Sequence, residues 1–217
     1  TDRGRRVYLD GKDKLPSVTT ILSKTKVDSD GIKAWRARVG EAEAERVMKE
    51  AAQRGSVMHE MLERYVHTNN FDTPAHDAPI AHKMANLIIS KGFIYLDEVW
   101  GVEQNIAYPN EYAGTMDCVG VFRKKPTILD FKQTNKPKRE EWVEDYYLQL
   151  TAYICAHEKQ YGKIDGGTIL MASTGLVFQE FELSGSKLDE YKDKWWKRVE
   201  EFKTNHAQPR QESLQKV

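Results

Sequence analysis

The chain has 217 residues, 40% of them hydrophobic, and its 33 Lys and Arg are balanced by 33 Asp and Glu. That length suits one domain, or one domain with a modest extra lobe; zero formal charge argues against a surface that coats nucleic acid wholesale but leaves room for a local basic groove. No stretch approaches the roughly 18 apolar residues of a membrane span, two cysteines (Cys118, Cys155) are too few for a disulfide framework, a four-thiolate zinc site or an iron–sulfur cluster, and Thr1 to Arg6 has no apolar signal core, so the composition predicts a soluble, reduced, cytoplasmic protein without a presequence.

Val7-Tyr8-Leu9 running into Asp10-Gly11 predicts a small hairpin, and Pro16-Ser17 opens a short helix at Val18 with Ser17 as N-cap. Residues 26–31 read as a turn. From Ile32 to about Val66 the period is helical, broken at Gly40; Val47, Ala51, Met58, Leu62 and Tyr65 form an apolar stripe. A polar loop over 67–78 precedes a helix carrying Ile80, Met84, Leu87 and Ile88 and stopping at Gly92. Phe93 to Tyr108 reads as one or two strands, followed by a turn at Pro109-Asn110-Glu111. Tyr112–Phe122 and Thr127–Lys132 read as a hairpin around Arg123-Lys124-Lys125-Pro126. A helix over Glu140–Lys159, a hairpin of Gly167–Ser173 with Leu176–Leu183, a helix over Lys187–Phe202 and a frayed polar end complete the chain. This order predicts an α/β fold: a central mixed sheet with helices on its faces. The whole of 1–217 reads as one domain, with 1–92 mainly helical, 93–203 carrying the sheet and 204–217 a tail.

Four clusters carry chemistry. Gly55, His59 and Glu63 share one helical face, and a glycine inside a helix, costing about 1 kcal/mol relative to alanine, fits close approach by another group beside His59. Asp117 stands in Gly114-Thr115-Met116-Asp117-Cys118, an uncharged strand run where Asp is disfavoured. In Ile128-Leu129-Asp130-Phe131-Lys132, Asp130 and Lys132 point to one strand face. Pairing Phe122 near Thr127 sets Asp117 across from Lys132 and Asp130 across from Val119, all on one face. Two carboxylates about 5 Å apart repel by roughly 3 kcal/mol at an effective dielectric of 20. A divalent cation removes that conflict: Mg²⁺ takes one or two carboxylates, and a nearby imidazole suits Mn²⁺. Gln149 and Tyr153 share a helical face with Trp142 and Tyr146.

These four clusters in this order resemble the RecB-like branch of the PD-(D/E)XK nuclease superfamily, as Gly55/His59/Glu63, Gly114/Asp117, Asp130/Lys132 and Gln149/Tyr153. Pro16-Ser17-Val18-Thr19, Trp35-Arg36-Ala37-Arg38 and Lys136-Pro137-Lys138 extend the resemblance to the mitochondrial genome maintenance exonucleases and their phage relatives, over roughly Leu15 to Phe202. Gln133 departs from the pattern, since many relatives have Thr or Ser after the motif lysine. Lacking an organelle presequence, the chain reads as phage or bacterial.

The resemblance implies a restriction-endonuclease-like core with an N-terminal helical lobe, and Mg²⁺- or Mn²⁺-dependent hydrolysis of DNA, without an iron–sulfur cluster. It assigns His59, Asp117, Asp130 and the Phe131 carbonyl as metal ligands. Lys132 stands beside the attacking water, and Gln149 and Tyr153 contact the phosphate or order Lys132. Glu63 holds a metal-bound water or a second cation, with Glu103 on the preceding strand as runner-up. Ser17, Thr19, Trp35, Arg54, Lys136, Lys138, Arg139, Trp142 and Tyr146 are the expected DNA contacts. The preferred substrate is single-stranded DNA with a free end. A double-strand-end recombination exonuclease, a flap endonuclease and a non-catalytic DNA-binding protein on the same fold are the alternatives.

Overall fold

The computed structural model describes residues 7–10, 13–26, 30–69 and 78–206. Gly11, residues 27–29 of the expected turn at 26–31, most of the expected loop at 67–78 and the polar C-terminal end therefore lie outside the described residues.

A two-stranded antiparallel ribbon, β1 (Val7–Asp10) and β2 (Asp13–Pro16), leads into α1 (Val18–Lys24). Ser17 caps α1 as expected, its hydroxyl accepting from Thr20 N at 3.0 Å. Helix α2 (Asp30–Val39) begins inside the stretch expected to be a turn. Gly40, at φ 87°, separates it from the long α3 (Glu41–Thr68), since only glycine takes that backbone conformation freely. Helix α4 (Pro79–Lys91) follows.

Five strands then form one sheet: β3 (Leu96–Tyr108), β4 (Tyr112–Phe122), β5 (Lys125–Thr134), β6 (Gly166–Ser173) and β7 (Phe178–Ser184), hydrogen-bonded in that order. Only the β5–β6 pairing is parallel; it needs a crossover, which α5 (Glu144–Gln160) supplies. Helix α6 (Gly185–His206) closes the described chain. Some boundaries differ from expectation. Glu140–Trp142 is a separate 3-10 turn ahead of α5, because Val143 leaves helical geometry at φ −110°. Leu176, at φ 58°, belongs to the turn before β7.

Helices cover both faces of the sheet. One core joins α1, α5 and α6 to Ile128, Ile169 and Met171; the other joins α3 and α4 to Leu129, Phe131 and Leu170. Strand β6, buried along its whole length, is apolar on both faces as a doubly covered strand must be. Cys118 and Cys155 are both buried free thiols. No helix among the described residues is long and apolar enough to cross a membrane.

The β4–β5 register corrects the sequence reading. Phe122 pairs with Lys125, Val121 with Pro126 and Val119 with Ile128. Arg123 and Lys124 form a two-residue turn, both with positive φ (49° and 65°), the geometry that matches strand twist in tight hairpins. The expected four-residue turn placed the pairing two residues off. The true register brings Asp117 level with Asp130 instead of Lys132, and the ladder stops at Cys118↔Leu129, one step before that pair.

Candidate metal-binding and catalytic cleft

Beyond Cys118 and Leu129 the two strands part, and the side chain of Asp117 takes over from the ladder: Phe131 N donates to its Oδ2 at 2.6 Å. The inside–outside alternation also breaks here. Met116 packs into the α5-side core and Cys118 into the α3-side core, though two residues apart. On the neighbouring strand Ile106 and Val102 divide the same way, with Glu103 between them at φ 48°. Asp117 and Glu103 thus sit where both strands change face, and Asp117 can meet groups from either helical layer.

The parted strands open into a cleft of about 450 Å³, walled by α3 on one side and by α1 and α5 on the others. From α3, His59 reaches in. Its Nε2 lies 2.8 Å from the Phe131 carbonyl oxygen, and its Nδ1 lies 3.6 Å from Asp117 Oδ1 and 3.8 Å from Glu103 Oε1. From β5, Lys132 Nζ donates to Asp130 Oδ1 at 2.6 Å. Asp130 is 1% exposed, and among the described residues its Oδ2 has no hydrogen-bond partner. From α5, Gln149 Nε2 donates to Tyr153 Oη at 3.0 Å. The Tyr153 ring lies so close to Gly114 that a Cβ there would come 2.5 Å from Cε1, which gives the first glycine of the Gly114–Asp117 cluster a steric reason. Gly55 has no such reason: a Cβ there would meet the Gln133 side chain only in ordinary contact, at 3.4 Å.

The electrostatics follow from this crowding. Burial and the neighbouring Asp130 push the Asp117 carboxyl up to about 6, against the pull of His59 and Lys132. Burial alone would lower the His59 pKa, but Glu103 and Asp117 outweigh it and the net shift is upward. Lys132 behaves likewise: burial disfavours its charge, Asp130 and Asp117 more than restore it, and it is held as an ammonium. Burial raises Tyr153, keeping the phenol neutral.

The donor set fits a hard divalent cation. One atom each from His59, Glu103 and Asp117 lies within 4.8 Å of the others, and the neighbouring Asp130, which is not itself in the cleft lining, keeps one oxygen without a hydrogen-bond partner among the described residues. Oxygen ligands with one imidazole match Mg²⁺ or Mn²⁺ better than thiophilic metals.

Not every expected residue enters the cleft. Ser17, Thr19 and Tyr146 line it with His59, Asp117, Phe131, Lys132, Gln149 and Tyr153, although the Ser17 hydroxyl is occupied as a cap. Glu63 does not: it lies 4.0 Å from His67 with its side chain 41% exposed, one turn beyond His59 on α3. Glu103 stands where Glu63 was expected. Arg54 is turned to the rim, donating to Gln133 at 2.9 Å and to Asn135; Gln133 is thereby a tie between α3 and β5. Lys138 lies 5.9 Å from the Tyr146 ring. Trp142 is exposed beneath Arg139, while Trp35 on α2 and Lys136 in the loop after β5 are outside the cleft lining.

Comparison with known proteins gives the context. The chain is 27% identical over 208 residues to mitochondrial genome maintenance exonuclease 1 of Mus musculus, covering 88% of this chain and 60% of that protein. The Homo sapiens protein of the same name is 26% identical over 208 residues, covering 87% and 58%. The Xenopus tropicalis protein is 31% identical over 100 residues, 43% of this chain and 28% of that one. The chain thus spans about 60% or less of the length of these relatives. A crystal structure from Eubacterium rectale, described as a candidate exonuclease, superposes with a TM-score of 0.50 at 14% identity, covering 71% of this chain and 65% of that one, a likeness of fold. No family model matches the chain.

Proposed function

Because the chain is related to the mitochondrial genome maintenance exonucleases and has a nuclease-like α/β core with the PD-(D/E)XK motif set, we propose that it is a Mg²⁺- or Mn²⁺-dependent deoxyribonuclease that hydrolyses phosphodiester bonds from single-stranded DNA ends. One observation carries this reading: the His59 imidazole, the Asp117 carboxylate and the Lys132 ammonium, from three distant segments, line a single cleft, with the buried Asp130 paired to Lys132.

His59, Asp117, Asp130 and the Phe131 carbonyl are the residues that would hold the cation. When bound, a divalent ion polarises a phosphoryl oxygen and lowers the pKa of a coordinated water. The chain's own groups do the rest. Lys132, kept protonated by Asp130 and Asp117, meets the negative charge that develops on phosphorus. An ammonium so held is placed to act as an electrostatic clamp. Gln149 is oriented by its bond to Tyr153, whose ring packs on Gly114 at the cleft wall. Thr19 and the Tyr146 face border the opening, where a backbone phosphate and a base would arrive.

A cleft walled by three helices accepts a separated strand more readily than an intact duplex, which supports the single-strand preference. The test is digestion of end-labelled single strands carrying 5′ or 3′ blocks, beside circular, blunt, tailed and flapped DNA. Linear single strands should be degraded in Mg²⁺ or Mn²⁺, with loss of activity in EDTA and protection by one of the two blocks. Undiminished cleavage in EDTA would remove the metal reading. Cleavage of circular single strands would remove the end requirement, and faster digestion of blunt duplex or flaps would replace the substrate.

A further inference from the structure

We propose that Glu103 is a ligand of the divalent cation, binding with His59 Nδ1 and Asp117 Oδ1 in the place expected of Glu63. The inference rests on the metal-dependent reading above and adds a carboxylate to it.

Position is the first argument. Tyr108 pairs with Tyr112 across the β3–β4 turn, and the pairs Val102↔Cys118 and Gln104↔Met116 bracket Glu103 and Asp117. Glu103 is therefore level with Asp117 on one side as Asp130 is on the other, so three carboxylates cross three adjacent strands at one height. Acidic side chains directly opposite one another destabilise a sheet. Here the strands change face at this height, which turns Glu103 toward α3 and brings its Oε1 3.8 Å from His59 Nδ1.

Charge is the second. Three carboxylates face the Lys132 ammonium and the His59 ring, an excess of negative charge that a divalent ion offsets. Independently, Asp130, 1% exposed, has only one of its two oxygens satisfied, Oδ1 by Lys132, while Oδ2 has no hydrogen-bond partner among the described residues. Glu63 meets neither condition: it faces His67 and solvent.

The experiment is Mn²⁺ binding to the full chain, read by electron paramagnetic resonance of the free ion and by the thermal shift that Mn²⁺ produces. Glu103→Gln should bind Mn²⁺ about 10–100-fold more weakly than wild type and lose most of the shift, whereas Glu63→Gln should stay within about twofold. The His59 ring is held from its other nitrogen by the Phe131 carbonyl at 2.8 Å, which Glu103→Gln leaves in place, so the loss reports ligation and not orientation of the ring. Glu103→Asp, which keeps the charge but retracts it by one methylene, should fall between the two. A metal-free melting temperature for Glu103→Gln no lower than wild type shows that the fold is retained. Wild-type affinity in Glu103→Gln, or a loss confined to Glu63→Gln, would overturn the assignment while leaving the metal reading intact. A wild-type chain that binds no Mn²⁺ would remove both.

Discussion

The two ends of the β4–β5 hairpin are made from the same two strands and behave in opposite ways. At the turn end, Phe122↔Lys125 through Cys118↔Leu129 form an unbroken ladder. Val119 and Ile128 fill one core, and Cys118 and Leu129 the other. At the far end the strands part, Asp117 replaces a ladder bond with a side-chain bond, and Asp117 and Lys132 are crowded against the fully buried Asp130. Packing and backbone bonding hold the first end. The second is held in place by the first and carries an electrostatic conflict that no protein group fully resolves. A site of this kind needs a rigid support and local instability together, and the hairpin supplies one at each end.

The largest expected effect comes from breaking the open end chemically. Lys132→Ala and Asp130→Ala should each lower DNA hydrolysis by at least about 10³-fold, a loss of some 4 kcal/mol in transition-state stabilisation. DNA binding, measured by fluorescence anisotropy in Ca²⁺ without turnover, should persist. Lys132→Ala activity within tenfold of wild type would show that the ion pair is structural.

Breaking the closed end should do the reverse. Leu129 is fully buried in the α3-side core, and Leu129→Ala should cost about 3 kcal/mol, or roughly 6–12 °C in melting temperature for a chain of this size. Activity per folded molecule at 25 °C should change little. A drop in hydrolysis far larger than the drop in folded fraction would mean that the two ends are not separable.

The difference between the ends also explains how much was legible. Element order, the mixed sheet and the Ser17 cap rest on local periodicity and capping, which the chain states directly. The hairpin register was misplaced by two because Arg123 and Lys124 adopt positive φ without the Gly or Asn that announces a tight turn. The consequence fell on the site: Asp117 meets Asp130, not Lys132. Glu103 was within reach of sequence reasoning. Counting five residues back along each arm from Tyr108↔Tyr112 sets it beside Asp117. Glu63 continues the Gly55/His59 face, but helix periodicity cannot say which turns of that face line the cleft. The contact between Gly114 and Tyr153 joins two clusters 39 residues apart, and no local pattern encodes it.

The smallest effect is the most specific to the open end, because its sign runs against the usual cost of altering a buried side chain. Asp117 has a folded pKa of about 6, raised from 3.8 by burial and Asp130. A raised carboxyl contributes stability when protonated, below pH 4, and loses it as pH rises through 6. At pH 7 the ionised group therefore weakens the metal-free protein. Asparagine keeps an oxygen for Phe131 N and removes the charge. Asp117→Asn should thus melt higher than wild type at pH 7 in EDTA, by about 1–2 kcal/mol, with the gap closing between pH 6 and 4. Saturating Mn²⁺ should reverse the order, since it stabilises only the chain that binds it. A variant less stable than wild type at pH 7 in EDTA would mean that the hydrogen bond to Phe131 outweighs the carboxylate repulsion, and that the open end stores no conflict for a cation to relieve.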